Sequence, residues 1–323
     1  MSSHALRIAA LTVLLSTMPP VSAQSQLAPP WPTKAVRLVV PYAPGGPTDT
    51  VSRLVALKLS ERTGQTVLVD NRPGAAGNIG TAAVASAPAD GYTLLYVVPA
   101  IVLNPYFMKG SPDLATLAPI TRVIQYSMVL LASNNFKPRT VDEIITLARS
   151  GSGSVSCGTG GGIPTVACEM LRSTAKADVL VVPYKGQAQV ANALMASEID
   201  LMFDGIVASA GAVKAGRMRA VAALDRKGKE SVLGSLPAIE ETLPGFEFTT
   251  WHGLMAPVGM PRELVARINR EVGAVLEMPD VKKRLAELGF ETVGDSAEDF
   301  ARFLHSESVK YGRVLKEAGV KPE

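Results

Sequence analysis

The sequence predicts an α/β protein of two lobes, with the chain crossing between the lobes twice. Short apolar strands recur along the chain, and a turn rich in glycine or proline follows many of them and opens into a helix. This unit restarts after Gln125, and a return strand follows Phe246 before a helical C-terminal region. Repeated β-turn-α units build parallel sheets covered by helices, and their ligands bind at the carboxyl ends of the strands. We therefore expect a hinged clamshell that holds a ligand between its lobes.

The first unit runs from Val36 to Asp49 and reads VRLVVPYAPGGPTD. Its first part, Val36–Val40, is typical of a buried parallel strand, and Pro41 ends that strand because proline cannot donate to a sheet. The Gly45–Gly46 pair permits positive φ angles and close approach of a ligand, and Pro47 suits the first turn of a helix. Unpaired N–H groups at the start of this helix predict a site for an anion such as a carboxylate. A turn without a ligand is the alternative that this pattern leaves open.

The same signals predict the rest of the first lobe. In chain order we expect a helix to about Thr63, a strand at Thr66–Val69, a glycine-rich turn at Asn71–Gly77, a strand at Tyr92–Val98, a loop at Pro99–Gly110 and a strand near Ala118–Val123.

The second lobe is predicted to begin with the strand MVLLAS. It continues with a helix at Val141–Arg149, a strand and glycine turn at Ser154–Thr165, a helix, a strand at Val179–Gly186, a helix near Val190, a strand ending at Asp204 and the strand MRAVAAL.

The predicted crossings between the lobes lie near Arg122–Tyr126 and Phe246–Thr250. Residues 31–125 and 250–323 would then form lobe 1, and residues 126–249 would form lobe 2. Three amphipathic segments close the chain, and their apolar residues at helical spacing predict helices that pack on the core.

The first 23 residues, Met1–Ala23, have the layout of a secretory signal peptide. Arg7 precedes the apolar run IAALTVLLSTM, and the small residues Val21-Ser22-Ala23 suit cleavage after Ala23. The apolar run is too short to span a bilayer comfortably. We therefore expect export to the periplasm.

The composition excludes several classes of protein. Of the 323 residues 47% are hydrophobic, so the chain can bury a large core. Removal of Arg7 with the signal peptide lowers the formal charge from +3 to +2, which argues against nucleic acid as a partner. Cys157 and Cys168 lack the spacing of a metal site. We expect these two thiols to stay unpaired, with one disulfide between them as the alternative.

A catalytic interpretation finds few residues on which to rest. After signal-peptide cleavage only His252 and His305 remain, and the chain has no G-x-S-x-G elbow and no H-E-x-x-H zinc motif. His252 is expected at the hinge or rim, and His305 on the exposed face of the last helix. We therefore expect neither an enzyme nor a bound cofactor or metal, and an exported hydrolase remains the rival class.

Several motifs occur together in one order along the chain. They are VPYAPGGPTD, VDNRPGAAGNIG, APADGYTLLY, LNPYF, VPYKG, IDLMFD, RMRAVAAL, LPGFEFTTWHGLMAPVGMP and ELGFETVG. This set strongly resembles the tripartite tricarboxylate transporter substrate-binding proteins, also called the Bug family of periplasmic receptors. The resemblance extends from about Trp31 to the C-terminus.

The resemblance implies a two-lobed periplasmic-binding-protein fold that closes like a Venus flytrap around a small organic acid. The implied partners are the permease subunits of a membrane transporter, and the implied receptor is a monomer. A receptor for a sensor kinase is the alternative role. The ligand-binding residues predicted from the motifs and the first turn are Tyr42, Ala43, Pro44, Gly45, Gly46, Asp49, Ile101, Asn104, Cys157, Gly160, Gly161, Gly162, Thr165, Tyr184, Lys185 and Asp204.

The sequence departs from the family pattern at two positions. Ile101 stands where the family usually has a histidine before the Asn-Pro pair, and Thr165 stands where it has another histidine. Because an unpaired charge in a closed cleft is costly, fewer polar side chains disfavour a multiply charged ligand. We expect a ligand with one carboxylate and a weakly polar body that lies against Ile101, although Gly160–Gly162 could supply N–H groups to a second acid.

Overall fold

The computed structural model describes residues 31–151, 155–226, 230–246, 248–317 and 319–322. The predicted signal peptide and Ser154 lie outside the described residues. In the chain order of the described residues, the strands are Val36–Val40 (β1), Val67–Asn71 (β2), Thr93–Val97 (β3), Leu117–Ala132 (β4), Val155–Thr159 (β5), Val179–Pro183 (β6), Leu201–Gly205 (β7), Arg219–Ala223 (β8), Glu230–Ser231 (β9), Gly234–Ser235 (β10), Thr249–Pro257 (β11) and Glu291–Thr292 (β12).

The α-helices alternate with the strands over most of the chain. They are Pro47–Thr63 (α1), Asn78–Ala85 (α2), Ala100–Phe107 (α3), Val141–Arg149 (α4), Ile163–Ala175 (α5), Gln187–Met195 (α6), Ile206–Lys214 (α7), Arg262–Leu276 (α8), Pro279–Glu287 (α9) and Ala297–Glu317 (α10). None of these described helices is both long enough and apolar enough to cross a membrane.

Two groups of strands share the long strand β4. In the first group β1 pairs in parallel with β2 and β3, and β11 joins β3 to β4 in antiparallel pairing. In the second group β5 pairs in parallel with β6 and β7, while β7 and β8 both pair antiparallel with β4. The predicted β-turn-α units therefore build the parallel part of each sheet.

Strand β4 differs from the prediction of two separate strands. Its 16 residues form one continuous strand. The polar step Gln125–Ser127 resembles a break in the sequence, but it pairs with Thr249–Trp251 of β11. Because this antiparallel neighbour satisfies the backbone there, the strand runs on from one group of strands into the other.

The segment predicted as a loop at Pro99–Gly110 contains helix α3. Pro105 lies inside this helix, yet Ile101, Val102 and Leu103 are buried in the core. Burial of three large apolar side chains outweighs the loss of one helical hydrogen bond. Helix α7 was not predicted, because its composition of small residues gives little amphipathic signal.

The last helix, α10, packs against α3, α5 and β4 and so contacts both groups of strands. Trp251 of β11 donates its indole N–H to Glu307 of α10 over 3.3 Å, and Tyr311 also donates to this carboxylate. The predicted lobe boundaries assign α10 to lobe 1, but this helix also contacts α5, which they assign to lobe 2. The lobe boundaries themselves stay a prediction.

Cys157 and Cys168 form a disulfide, so the expectation of two unpaired thiols was wrong. The glycine turn after β5 reverses the chain and lays α5 back over the strand, which brings the two Cα atoms to 6.0 Å. This separation suits a disulfide. We expected one cysteine in a turn and the other in the following helix; Cys168 does lie in α5, but Cys157 lies in the middle of β5.

Candidate functional site

A cavity of about 970 Å³ lies between the two groups of strands. Its polar lining comes from both groups and comprises Tyr42, Thr48, Thr50, Asn104, Tyr126, Ser127, Thr165, Gln187, Asp204, Thr250, His252 and Glu287. Its large apolar lining residues are Val98, Leu103, Phe107, Met108, Met128, Ile163, Ile206, Val207, Leu288 and Phe290.

Five helices begin at this cavity. The lining includes Thr48 at the start of α1, Ala100 of α3, Ile163 of α5, Gln187 of α6 and Ile206 of α7. The first N–H groups of a helix lack helical acceptors, and the helix dipole places partial positive charge at that end. Among the described residues that line the cavity none is lysine or arginine. The helix starts therefore offer backbone N–H groups to this cavity, and its described lining offers no cationic side chain.

The turn after β1 is fixed by Asp49, which does not line the cavity. The Asp49 carboxylate accepts the N–H of Gly45 at 3.0 Å, Arg53 Nε at 3.0 Å and Asn71 Nδ2 at 2.9 Å. Asn71 Nδ2 also donates to the carbonyl of Tyr42. The hydrogen bond from Arg53, more than any other contact, holds the pKa of Asp49 below its ordinary value. Asp49 is thus placed to shape the loop and not to touch a ligand.

Two residues of this predicted loop, Tyr42 and Gly45, line the cavity, whereas Ala43, Pro44 and Gly46 do not. Ala43 and Pro44 are exposed at the outer side of the turn. Thr48 also lines the cavity, and its N–H lies in the first turn of α1, where no helical carbonyl can accept it.

The second glycine turn lies across the cavity at the start of α5. Gly161 and Gly162 have φ angles of +96° and +60° and open space where a side chain would stand. The N–H of Gly160 donates to Gln187 Oε1 at 3.3 Å, and that of Gly161 donates to Thr159 Oγ1 at 3.1 Å. No acceptor among the described residues pairs with the N–H of Gly162 or Ile163. These two groups are the donors that this turn offers to a ligand.

Three residues predicted in the second lobe lie away from the cavity lining. Cys157 is fully buried and bonded to Cys168. Tyr184 packs against the cluster of buried side chains that includes Val190, and Lys185 is exposed. The strand end at β6 therefore turns its side chains towards the core and solvent. In contrast, Gly160, Gly161, Gly162, Thr165 and Asp204 do line the cavity.

Ile101 also lies outside the lining, because α3 is a helix. Ala100, Leu103, Asn104 and Phe107 recur at helical spacing and form the face towards the cavity. Ile101 points to the core and is only 8% exposed. The predicted apolar contact at this segment thus falls to Leu103 and Phe107, and Asn104 lies on the lining as predicted.

Asp204 is the penultimate residue of β7 and a half-buried carboxylate of the cavity. It accepts the N–H of the next residue, Gly205, at 2.8 Å. No side chain among the described residues donates to it. Burial raises the pKa of Asp204 to about 6.

His252 and Tyr126 form a wall that sequence reasoning missed. His252 is 2% exposed in the middle of β11, and its Nδ1 lies 3.2 Å from the hydroxyl of Tyr96. The rings of Tyr96 and Tyr126 contact it edge to face. Burial lowers the pKa of His252 to about 3, so the imidazole is neutral. Side chains alternate between the two faces of a strand such as β11, and this alternation was the available signal. It does not tell which of the two faces meets the cavity.

Gln187 was also missed. Its Nε2 donates to the carbonyl of Phe203 at 2.6 Å while its Oε1 accepts from Gly160, so one side chain ties the second glycine turn to β7. In the sequence, the only signal for Gln187 was its place directly after a glycine at the start of a predicted helix.

Two lobes of α/β structure around one cavity lined by helix starts define a solute-binding receptor. Residues 51–320 match the model of the tripartite tricarboxylate transporter family receptor, and the chain belongs to this family. The resemblance given by the motifs is therefore confirmed.

Relatives and solved structures agree with this assignment. The UPF0065 protein of the tcbD-tcbE intergenic region of Pseudomonas sp. strain P51 is 33% identical over 304 residues, or 92% of this chain and 90% of that protein. The structure of R. palustris Rpa4515 with adipate is 33% identical with a TM-score of 0.77, and the match covers 91% of this chain and 100% of that chain.

A second solved structure is MatC from Rhodopseudomonas palustris with bound malate. It is 29% identical with a TM-score of 0.73, and the match covers 88% of this chain and 100% of that chain. The periplasmic binding protein BugD is 30% identical with a TM-score of 0.74, covering 91% of this chain and 100% of its own. These neighbours confirm the two-lobed periplasmic-binding-protein fold, and they are receptors rather than enzymes.

Proposed function

We propose that this protein is an exported receptor that binds a small carboxylate between its lobes and delivers it to the permease subunits of a tripartite tricarboxylate-type transporter. The single observation that carries the proposal is the convergence of five helix starts on one cavity whose described lining includes no lysine or arginine. Backbone N–H groups and helix dipoles stabilise an anion there without a permanent ion pair. Family membership and the adipate and malate in the names of two neighbours support the same ligand chemistry.

In this proposal the carboxylate binds at the first turn of α1, near Tyr42, Gly45 and Thr48. The facing turn, with the N–H groups of Gly162 and Ile163, closes over the ligand from the other lobe. A ligand that contacts both lobes favours the closed state by the difference between its affinities for the two states. The receptor acts as a monomer in the periplasm after removal of residues 1–23.

A thermal-shift screen of the mature protein, residues 24–323, tests ligand binding. Organic acids, amino acids and neutral sugars are compared at equal concentration and pH. We expect at least one carboxylate to raise the melting temperature by several degrees and its amide or ester analogue to have a smaller effect. Stabilisation by neutral sugars alone would contradict the proposal.

Delivery to a permease needs a separate test in cells. Uptake of the labelled acid is measured in cells that carry the permease subunits, with and without this receptor, and with a receptor that lacks residues 1–23. We expect uptake only with the full-length chain. Equal uptake without the receptor would contradict the transport role.

A further inference from the structure

Asp204 is a half-buried carboxylate on the lining of the cavity that we propose binds a carboxylate. One of its oxygens accepts the N–H of Gly205, and no lysine or arginine is among the described residues that line the cavity. A buried ionised group without a partner is costly. A ligand carboxylate that reached Asp204 would therefore meet a second negative charge and would need a donor.

The other titratable side chains of the described lining supply no cation. They are Tyr42 at the first turn, Tyr126 of β4, His252 of β11 and the exposed Glu287 at the end of α9. The phenol of Tyr126 stays neutral because burial raises its pKa, and the charge of Asp204 adds to that effect. His252 is neutral as well, and Glu287 is itself acidic. A second ligand carboxylate would thus meet no cationic side chain among them, and only neutral donors such as the N–H groups of Gly162 and Ile163 would offset the charge of Asp204.

The cavity that holds both Asp204 and the first turn of α1 has a mainly apolar surface. Leu103, Phe107, Met128 and Ile163 are among the large apolar side chains that line it. A ligand body of hydrocarbon is matched to such walls because its burial releases water from apolar surface. Its distal end then reaches a carboxylate that can accept a hydrogen bond or an ion pair.

We propose that the ligand is a monocarboxylate with an apolar body and a distal hydrogen-bond donor, such as an ammonium, amide or hydroxyl group, that binds Asp204. This inference rests on the proposed function, because it assumes that the first carboxylate binds at the start of α1. It differs from the two neighbours, whose names give the dicarboxylates adipate and malate. Asp204 is then a specificity-determining residue.

The test is calorimetry at pH 7.5 with matched acids that differ only at the distal end. Four-carbon, six-carbon and benzene-ring acids each carry a distal hydrogen, carboxylate, amide or ammonium group. In at least one series we expect the amide or ammonium acid to bind the wild type at least tenfold more tightly than the acid with hydrogen and the diacid. In Asp204→Asn the advantage of the ammonium acid should fall at least tenfold, while the diacid should bind more tightly than to the wild type.

Glu198→Gln is the matched control, because it removes one negative charge from an exposed position near the end of α6 and outside the cavity lining. It should keep the order of affinities of the wild type. A diacid that binds the wild type most tightly and is unaffected by Asp204→Asn would overturn the inference and leave the carboxylate receptor intact. Failure of every acid to bind, with binding of the matched neutral amides, would overturn both.

Discussion

Gly289, after helix α9, lies directly against Val207 in the first turn of α7. A Cβ atom added at Gly289 would overlap the Val207 side chain and lie 2.5 Å from its Cβ. Both residues line the cavity between the lobes. The absence of a side chain at Gly289 thus permits the two elements to meet at this cavity.

The substitution Gly289→Ala should hold α7 and α9 apart and weaken closure around a ligand. We expect at least a tenfold loss of affinity for the ligand found by screening, together with a larger radius of gyration of the liganded protein in small-angle scattering. The positive φ of +81° adds backbone strain that lowers stability in its own right.

Gly294→Ala controls for that strain. Gly294 has a similar φ of +70°, but its added Cβ would lie 3.7 Å from Leu276, an ordinary contact. We expect similar loss of stability and unchanged affinity. Equal loss of affinity in both variants would show that backbone strain, and not the contact with Val207, is responsible.

Asp49→Ala should loosen the first binding turn. The variant removes the acceptor of Gly45, Arg53 and Asn71, and the loss of hydrogen bonds in a buried network costs about 1–3 kcal/mol of unfolding free energy. Ligand affinity should fall although Asp49 does not line the cavity. Urea denaturation and calorimetry measure the two effects. Asp70→Ala, which breaks a more exposed ion pair with Arg72, is the control and should change neither the unfolding free energy nor the ligand affinity by much. Equal losses in the two variants would contradict the role of Asp49.

The pH dependence of Asp49 follows from its lowered pKa. A carboxyl whose pKa is lower in the folded than in the unfolded state contributes stability above the unfolded value, and this contribution is lost as pH falls through the folded value. The wild type should therefore lose its stability advantage over Asp49→Asn in acid below about pH 4. A constant difference from pH 7 to pH 2 would contradict this prediction.

Asp204 should act in the opposite direction. Its pKa of about 6 in the folded protein lies above the ordinary value of 3.8, so folding penalises the ionised form. This penalty is present above pH 6 and disappears as pH falls towards 4. Relative to Asp204→Asn, the wild type should gain about 1.4 kcal/mol of unfolding free energy between pH 7.5 and pH 5. Urea denaturation at both values measures the gain, and a flat difference would place Asp204 in a solvated environment.

His252 should make the protein sensitive to mild acid. Its pKa falls from 6.5 to about 3 on folding, so only the unfolded chain takes up this proton between those values. Relative to His252→Gln, in which the other groups titrate alike, the wild type should therefore lose about 2 kcal/mol of unfolding free energy between pH 7.5 and pH 5. A constant difference between the two proteins over this range would contradict the prediction. His305→Gln, which changes an exposed residue of α10, is the matched control and should behave as the wild type.

The disulfide between Cys157 and Cys168 should stabilise the second glycine turn. The two residues are separated by 11 positions, and closing a loop of this length contributes about 3 kcal/mol in the chain-entropy model. The double variant Cys157→Ala/Cys168→Ala should lose about this much unfolding free energy. Treatment with reductant should destabilise the wild type and leave the double variant unchanged; equal sensitivity would contradict the assignment.

Much of the fold could be predicted from the sequence because its signals are local. The strand Val36–Val40, the helix that ends at Thr63 and the helix Val141–Arg149 were predicted at their observed bounds. Turn residues and apolar periodicity act within a few positions, so they are readable without a partner. The ordered motifs likewise determined the family.

The candidate site was predicted only in part, because a side chain's direction depends on distant elements. The glycine turns and Asn104 were found on the lining, but Ile101 was not, since a helix replaced the expected loop. His252 could not be assigned to the cavity until β11 paired between β3 and β4.

The sequence by itself determined the class of the elements, the two anion-ready turns and the lack of catalytic motifs. Tertiary structure alone decided that Asp49 braces its own loop, that Cys157 bonds to Cys168, and that Asp204 lies on a cavity whose described lining includes no lysine or arginine. The physical reason is that propensity and turn chemistry are local, whereas burial, pairing and the environment of a charge arise only when segments far apart in the chain pack together.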